Sequence, residues 1–282
     1  MTETSERGAA EGTRRAELAA FLKTRRAKIQ PGDVGLPDGV RRRAAGLRRE
    51  EVAQLAGVGL SWYTWLEQGR AINASTQVLD ALATTLRMDP VEREHLHVLA
   101  GAVPLRGQAD DLVIPDAVFA ILRSLDPLPA TLATSRLDTL GTNEAFQVLF
   151  AGWHDLGCLH HNGLWCTITE PNARRWLPDY DDDIAYLVAR LRSNYARHIG
   201  DPEWEANIAR LSATSPEFAK IWARQEVAEP CLRSRRVMHP DLGLMNFTLT
   251  QLDVAFCPEV YINVYTPSDA ETWALLARTR QG

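Results

Sequence analysis

The sequence lacks any stretch near the roughly 20 uninterrupted apolar residues that a membrane-crossing helix requires. Its polar opening, Met1-Thr2-Glu3-Thr4-Ser5-Glu6-Arg7, offers no apolar core for an export signal. Both absences lead to the expectation of a soluble, cytoplasmic chain with no membrane partner. Cysteine is missing from the first half; Cys158, Cys166, Cys231 and Cys257 are scattered over the second. In a cytosolic chain that spread reads as free, partly buried thiols and not as a disulfide framework. Lysine is scarce, with Lys23, Lys28 and Lys220 the only three among 31 basic residues; the bias to arginine and alanine fits GC-rich coding and carries no mechanism. No glycine-rich phosphate loop and no Ser or Cys elbow occurs. His239 and Asp241 are close in sequence, but without a nucleophile they read as a strand-end histidine and a turn aspartate. The chain is therefore expected to be no enzyme and to need no cofactor.

What is present describes an ordinary globular chain. Its 282 residues are 45% hydrophobic and 24% charged, too apolar for disorder and long enough for two domains of about 100–200 residues each. The net charge of −5 argues against a polyanionic partner only until it is mapped. Across residues 14–49, eleven basic residues stand against three acids (Glu17, Asp33 and Asp38), a local +8. Residues 1–104 carry +2 in all, which leaves −7 for the remainder. A basic segment in one domain and an acidic second domain is the asymmetry that nucleic-acid binding produces.

Residues 1–13 are small and polar and are expected to be a flexible tail. From 14 to 29, Leu18, Phe21, Leu22 and Ile29 recur at helical spacing. Residues 30–46 hold Pro31, Gly32, Gly35, Pro37 and Gly39 and must be a loop, with basic flanks suited to phosphate contact. Next, Val52, Leu55 and Ala56 form an apolar helical face that Gly57 ends. After a three-residue turn, a short helix carries Tyr63 and Leu66 on one face and Ser61, Thr64 and Trp65 on another, closed by Gly69. Two short helices across a tight glycine-containing turn, the second with a polar-aromatic outer face, make a helix-turn-helix unit. Ser75 caps a further helix with Val78, Leu79, Leu82 and Leu86 inward, and Asp89-Pro90 opens the last, through Leu96 and Leu99. The expectation is an all-α, five-helix DNA-binding domain over 14–100, then a linker at 101–109.

Residues 110–280 alternate differently. Segments 131–134 and 139–142 read as short strands, and 143–150 and 181–199 as helices, the second capped by Asp181-Asp182-Asp183. Ser215-Pro216-Glu217 opens another helix through Ala223, and 234–239, 244–252 and 260–265 read as strands. The pattern is an α+β domain whose antiparallel sheet is assembled from both ends of the segment. His154, Cys158, His160, His161 and Cys166 supply metal-ligand chemistry within a short window. Their spacing fits no standard zinc pattern, and Trp153, Leu156, Leu159 and Leu164 between them suit an amphipathic helix and loop, so no metal site is expected.

Gly46-Leu47-Arg48-Arg49-Glu50-Glu51-Val52-Ala53, then Trp62-Tyr63-Thr64-Trp65-Leu66-Glu67-Gln68-Gly69-Arg70 and residues 75–82, closely resemble the phage-repressor-like (XRE) helix-turn-helix family, and more narrowly its MmyB-like branch. Asn172-Ala173-Arg174-Arg175-Trp176-Leu177-Pro178-Asp179-Tyr180, Ser215-Pro216-Glu217-Phe218, Trp222-Ala223, His239-Pro240 and Val264-Tyr265-Thr266 extend the resemblance over about residues 14 to 278. The resemblance implies a multidomain transcription regulator that binds a double-stranded DNA operator, with a PAS-like second domain and a small hydrophobic, fatty-acid-like ligand. Repressor-like docking puts Leu60, Ser61 and Trp65 toward base edges, with Thr64 on the same face, Arg49 on a phosphate or flanking base, and Arg48 and Arg70 on phosphates. Trp65 is expected outward because Tyr63 and Leu66 fill the inner face; Trp62 stays open. Glu67 is expected to pair with Arg25 or Arg26 in a structural role. Gly59 stands where relatives usually carry Ser, so the recognition helix lacks a side-chain cap. Phe146, Phe150, Trp165, Leu187, Phe247 and Tyr261 are candidates for lining a ligand cavity, each equally explicable as ordinary core. A homodimer is expected, because one short recognition helix reads few base pairs and symmetry doubles the site. The alternatives are a second domain that only dimerises or one that recruits a protein partner.

Overall fold

A computed structural model describes residues 2–37, 46–102, 114–150 and 162–278, the side chains of 2–7 excepted. Five helices come first: α1 Thr2–Lys28, α2 Arg49–Leu55, α3 Leu60–Glu67, α4 Thr76–Thr85 and α5 Pro90–Leu99. There follow α6 Asp116–Ser124, β1 Ala130–Thr134, β2 Thr139–Thr142, α7 Glu144–Leu149, α8 Gly163–Thr169, α9 Ala173–Trp176, α10 Tyr180–Tyr195, α11 Pro202–Thr214 and α12 Pro216–Trp222. The chain closes with β3 Arg233–His239, β4 Gly243–Asp253, β5 Val260–Pro267 and α13 Ala270–Arg278. Two compact units result, and neither is a continuous stretch: Met1–Gln108 with Arg192–Ala228, and Ala109–Leu191 with Glu229–Gly282.

The first unit holds the five expected helices around Phe21, Leu22, Leu47, Val52, Tyr63, Leu66, Leu79, Leu82 and Leu96, all buried. Their starts follow from local chemistry. Ser75 accepts from the amide of Val78 to begin α4, and Asp89 and Glu92 form a reciprocal capping box at α5. Two details differ from the sequence reading. Residues 2–13, expected as a tail, are the first turns of α1; Ala9, Ala10 and Glu11 favour helix, and Gly200 lies so close to Ala10 that a Cβ on it would overlap that side chain. Leu55 is 40% exposed, and the inward direction of α2 is set by Val52 and Ala53. At about 100° per residue, Leu55 points well off that direction. Residues 38–45 of the expected basic loop and 103–109 of the expected linker lie outside the described residues.

Residues 192–228, expected in the second domain, belong to the first unit because two buried arginines fasten them there. Arg192 of α10 is 1% exposed; it donates to Glu17 of α1 (2.6 Å), to Gln225 Oε1 (2.9 Å) and to the carbonyl of Trp222 (2.7 Å), with its guanidinium 3.7 Å from the Trp222 ring centre. Arg25 of α1 pairs with Glu92 of α5 and donates to the carbonyl of Gln225 at 2.6 Å. Each cation thereby gains the several hydrogen bonds that burial demands.

The second unit is an α+β fold on one five-stranded antiparallel sheet of order β2-β1-β5-β4-β3, built from both ends of its sequence as expected. β5 is the central strand and is covered on both faces, as its near-continuous burial reports. Strand alternation then divides the residues. Val260, Ile262 and Val264 of β5 and Ala130 and Leu132 of β1 pack with Val118 and Leu122 of α6. Tyr261, Asn263 and Tyr265, with Thr131 and Ala133, face the opposite side toward α7 and α8.

Two glycines, one on either side of α2, test how closely the chain packs there. Gly46 and Gly57 both have positive φ (72° and 68°), but a Cβ on Gly46 would overlap the carbonyl oxygens of Arg26 and Ala27, while Gly57 has nothing within 4 Å. Gly57→Ala is expected to cost only the left-handed backbone penalty of about 1–2 kcal/mol. Gly46→Ala should add an overpacking cost of about 1–3 kcal/mol. Urea unfolding of both variants checks the ordering; equal costs would contradict the close approach.

Candidate nucleic-acid interface and ligand cavity

The recognition helix is α3, entered through Gly59 at φ −68° with no side-chain cap, as the sequence indicated. Tyr63 and Leu66 are buried; Leu60 is 48% and Trp65 41% exposed, and Ser61 is exposed beside them. Thr64 and Trp62 are half-buried. Arg70 is exposed with its guanidinium over the Trp65 ring, 5.6 Å from its centre, so a cation and an aromatic face stand together at the end of the helix. Arg48 is exposed at the start of α2, 3.3 Å from Glu50. Together these side chains give α3 an outer face of hydroxyl, indole and guanidinium groups, suited to a groove floor and its flanking phosphates.

What aims that face is Glu67, fully buried at the other side of α3. Oε1 accepts from Arg26 Nε (2.6 Å) and Tyr63 Oη (2.8 Å), and Oε2 accepts from Arg26 Nη2 (3.1 Å) and Arg49 Nε (2.6 Å). Burial alone would raise this carboxyl, but the hydrogen bonds from Arg26, Arg49 and Tyr63 outweigh it and hold the group below the usual carboxylate range. Arg26 also donates to the carbonyl of Leu47 at 2.7 Å, and Leu47 returns its amide to the Arg26 carbonyl. The partner on α1 is thus Arg26, of the two arginines the sequence left open. Arg49, expected to reach DNA directly, is committed by its Nε to Glu67 and remains 42% exposed. It first positions α3 and presents only the rest of its guanidinium outward.

A second buried group in this unit has no such partners. His95 of α5 packs edge-on to Phe21 (4.9 Å between centres), and neither ring nitrogen has a hydrogen-bond partner among the described residues. Burial, then the charges of Arg192, Arg25 and Arg197, push its pKa down to about 3, so it is neutral when folded.

In the second unit the sheet face carrying Tyr261, Asn263 and Tyr265 encloses a cavity of about 120 Å³. Thr131 and Ala133 of β1, Leu249 of β4 and Arg235 of β3 complete the sheet side. Phe146 and Phe150 around α7, Leu164, Cys166 and Thr167 of α8, and Leu187 of α10 close the other. The rings of Phe146, Phe150 and Tyr265 lie 4.6–5.9 Å apart at their centres. Of the six residues suggested by sequence, Phe146, Phe150, Leu187 and Tyr261 line this cavity. Trp165 does not: it is half-buried in α8, whose inward side is taken by Leu164, Cys166 and Thr167. Phe247 does not either, being fully buried behind Tyr265 at 5.9 Å.

Arg235 was missed, although β3 alternates cleanly: Arg233, Arg235, Val237 and His239 form the inner row and Ser234, Arg236 and Met238 the outer. Arginines on the same side as a buried valine were the signal. His239 Nδ1 accepts from the amides of Asp241 and Leu242 at 3.1 and 3.2 Å, so this histidine organises a turn. The His/Cys cluster falls outside the described residues except Cys166, which is buried in the cavity wall.

Two family models match the chain. Residues 114–278 match the MmyB-like transcription regulator ligand binding domain, and residues 39–96 match a helix-turn-helix domain. No curated protein matches the chain.

Both buried groups make the fold acid-sensitive, each in its own window. Glu67→Gln leaves Arg26 without its counter-charge and is expected to cost about 3 kcal/mol in urea unfolding. Because the Glu67 carboxyl is depressed, its contribution is present above the ordinary carboxylate range and lost as pH falls through the lowered value. His95 likewise has a lowered pKa, so its neutral burial costs stability progressively as pH drops below 6.5 toward 3. His95→Phe should flatten the stability curve below pH 6.5 without touching the Glu67 window. An unchanged curve would show that His95 is solvated.

Proposed function

The chain belongs to the MmyB-like transcription regulator family, and we propose that it binds operator DNA through the outer face of α3 with an affinity set by a small ligand held in the second unit. The observation that carries this reading is the coexistence of an outward, polar-aromatic recognition helix and a preformed, largely apolar cavity in one chain. A cavity lined by Phe146, Phe150, Leu187 and Tyr261 supports a sensor over a domain that only dimerises or recruits a partner.

In this reading Leu60, Ser61, Thr64 and Trp65 face base edges, Arg48 and Arg70 hold phosphates, and Arg49 steadies α3 while offering its outer nitrogens to the backbone. Two copies bind a two-fold operator as a homodimer in the cytoplasm, and no catalytic step is involved. The coupling has a physical carrier in the chain. α10 contributes Leu187 to the cavity of the second unit and Arg192 to the interior of the first. Arg192 grips Glu17 on α1, the helix whose Arg26 holds Glu67 of α3. A ligand that repositions Leu187 biases one helix that both units share.

Binding of the full chain to its mapped genomic operator and to random duplex tests the assignment. Ser61→Ala should lose about 1–3 kcal/mol of discrimination at one base pair and little affinity for random DNA. Arg70→Ala should weaken both and reduce the salt slope by about one. Equal losses on operator and random DNA for Ser61→Ala would remove it from the base-reading set.

A further inference from the structure

The first unit carries a concavity of its own, a cleft of about 330 Å³ between α1, the segment 69–73 that follows α3, and the end of α5. Two close approaches fix its walls. A Cβ on Gly69 would lie 3.2 Å from the Arg15 carbonyl oxygen, so the 69–73 segment is pressed against α1. A Cβ on Gly101 would lie 3.1 Å from Arg14 Nη1, so that guanidinium reaches across to the end of α5. Leu18, Leu66 and Leu99, all buried, and the half-buried Ile72 form an apolar floor.

The rim is basic. Arg14, Arg15 and Arg70 line the cleft against a single carboxylate, Glu11. Glu11 lies 3.9 Å from Arg15, beyond hydrogen-bond reach, and its side chain is 53% exposed, so the pair neutralises little. Arg14 and Arg70 have no carboxylate at ion-pair distance among the described residues, and Arg70 lies over the Trp65 ring instead. Guanidinium groups left without counter-charge around an apolar floor suit an amphipathic anion. The volume falls in the range of small-molecule sites, about 300–1,000 Å³. A phosphate monoester carries a charge of about −1.5 to −2 and three acceptor oxygens, one for each arginine; a carboxylate, with one charge and two oxygens, leaves an arginine unanswered.

We propose that this cleft binds a small phosphate monoester with a compact apolar body, its phosphoryl group on Arg14, Arg15 and Arg70 and its body against Leu18, Leu66 and Ile72. The consequence for regulation rests on the DNA contact assigned to Arg70 above. A guanidinium engaged by the ligand is withdrawn from the DNA backbone, so the monoester and the operator compete for it.

The test titrates the full chain, free of DNA and at fixed ionic strength, with phenyl phosphate, with phenol as the body alone and with inorganic phosphate as the charge alone. Calorimetry should show phenyl phosphate binding at least about tenfold tighter than either. Arg14→Gln should abolish that advantage, and Lys23→Gln, an equal loss of charge on α1 outside the cleft, should leave it intact. The comparison of the three probes needs no variant, so it stands even if Arg14→Gln fails to fold. No binding of phenyl phosphate, binding no tighter than that of phenol or inorganic phosphate, or binding untouched by Arg14→Gln would each overturn the proposal. Operator affinity at the same ionic strength should fall severalfold when phenyl phosphate saturates the unaltered chain, and not in Arg14→Gln; an unchanged affinity in both would overturn the competition. The contact of Arg70 with DNA is read separately, by the salt slope of Arg70→Ala without any ligand.

Discussion

Glu67 is a carboxylate with no exposure to water and four hydrogen bonds from three side chains, and the direction in which the recognition helix faces depends on it. An isolated carboxylate could not be buried; here Arg26 closes on both oxygens, Arg49 and Tyr63 take the remaining lone pairs, and the ion is retained. Replacing a buried ion group as a whole by well-packed apolar side chains often leaves stability unchanged or raises it. What the ion supplies is direction: Arg26 reaches it only if α1 and α3 are in register, and Arg49 only if α2 is. The same Arg26 fastens Leu47 and so the start of α2. Three helices are keyed to one side chain, and the outward set of Leu60, Ser61 and Trp65 follows from the inward set of Tyr63, Leu66 and Glu67.

Much of this was legible in the residues. The 57–59 turn, the caps at Ser75 and Asp89 and the outward Trp65 follow from local rules, because helix period and capping chemistry are short-range. All five strands were located for the same reason: β-branched and aromatic residues alternate between turn residues. The failures are long-range. Nothing local shows that residues 192–228 would pack with the first unit, since that rests on Arg192 meeting Glu17 and Arg25 meeting the Gln225 carbonyl, partners separated by 175 and 200 residues. The bond from Arg49 to Glu67 was hidden for the same reason, its partner being 18 residues away on another helix. Trp165 was among the cavity candidates, but the helix phase of α8 turns Leu164, Cys166 and Thr167 inward instead.

The second unit shows how one strand serves two purposes. Even positions of β5 build the core with α6, and odd positions floor the cavity. Opposite faces of the same backbone thus serve the core and the cavity, which lets the cavity keep half-buried polar groups such as Arg235 and Asn263 without breaking the core. The ligand-binding family match spans 114–278 and therefore includes 192–228, so sequence belonging to the sensor family contributes to the interior of the unit that holds the recognition helix.

The account stands or falls on thermodynamic coupling between the cavity and the recognition helix. Operator affinity of the full chain is measured with the small molecules extracted from the purified protein either restored or withheld. A change of about 5–150-fold, matched by an equal change in ligand affinity when operator is added, is the predicted result. The same operator affinity with the cavity filled and empty would contradict it.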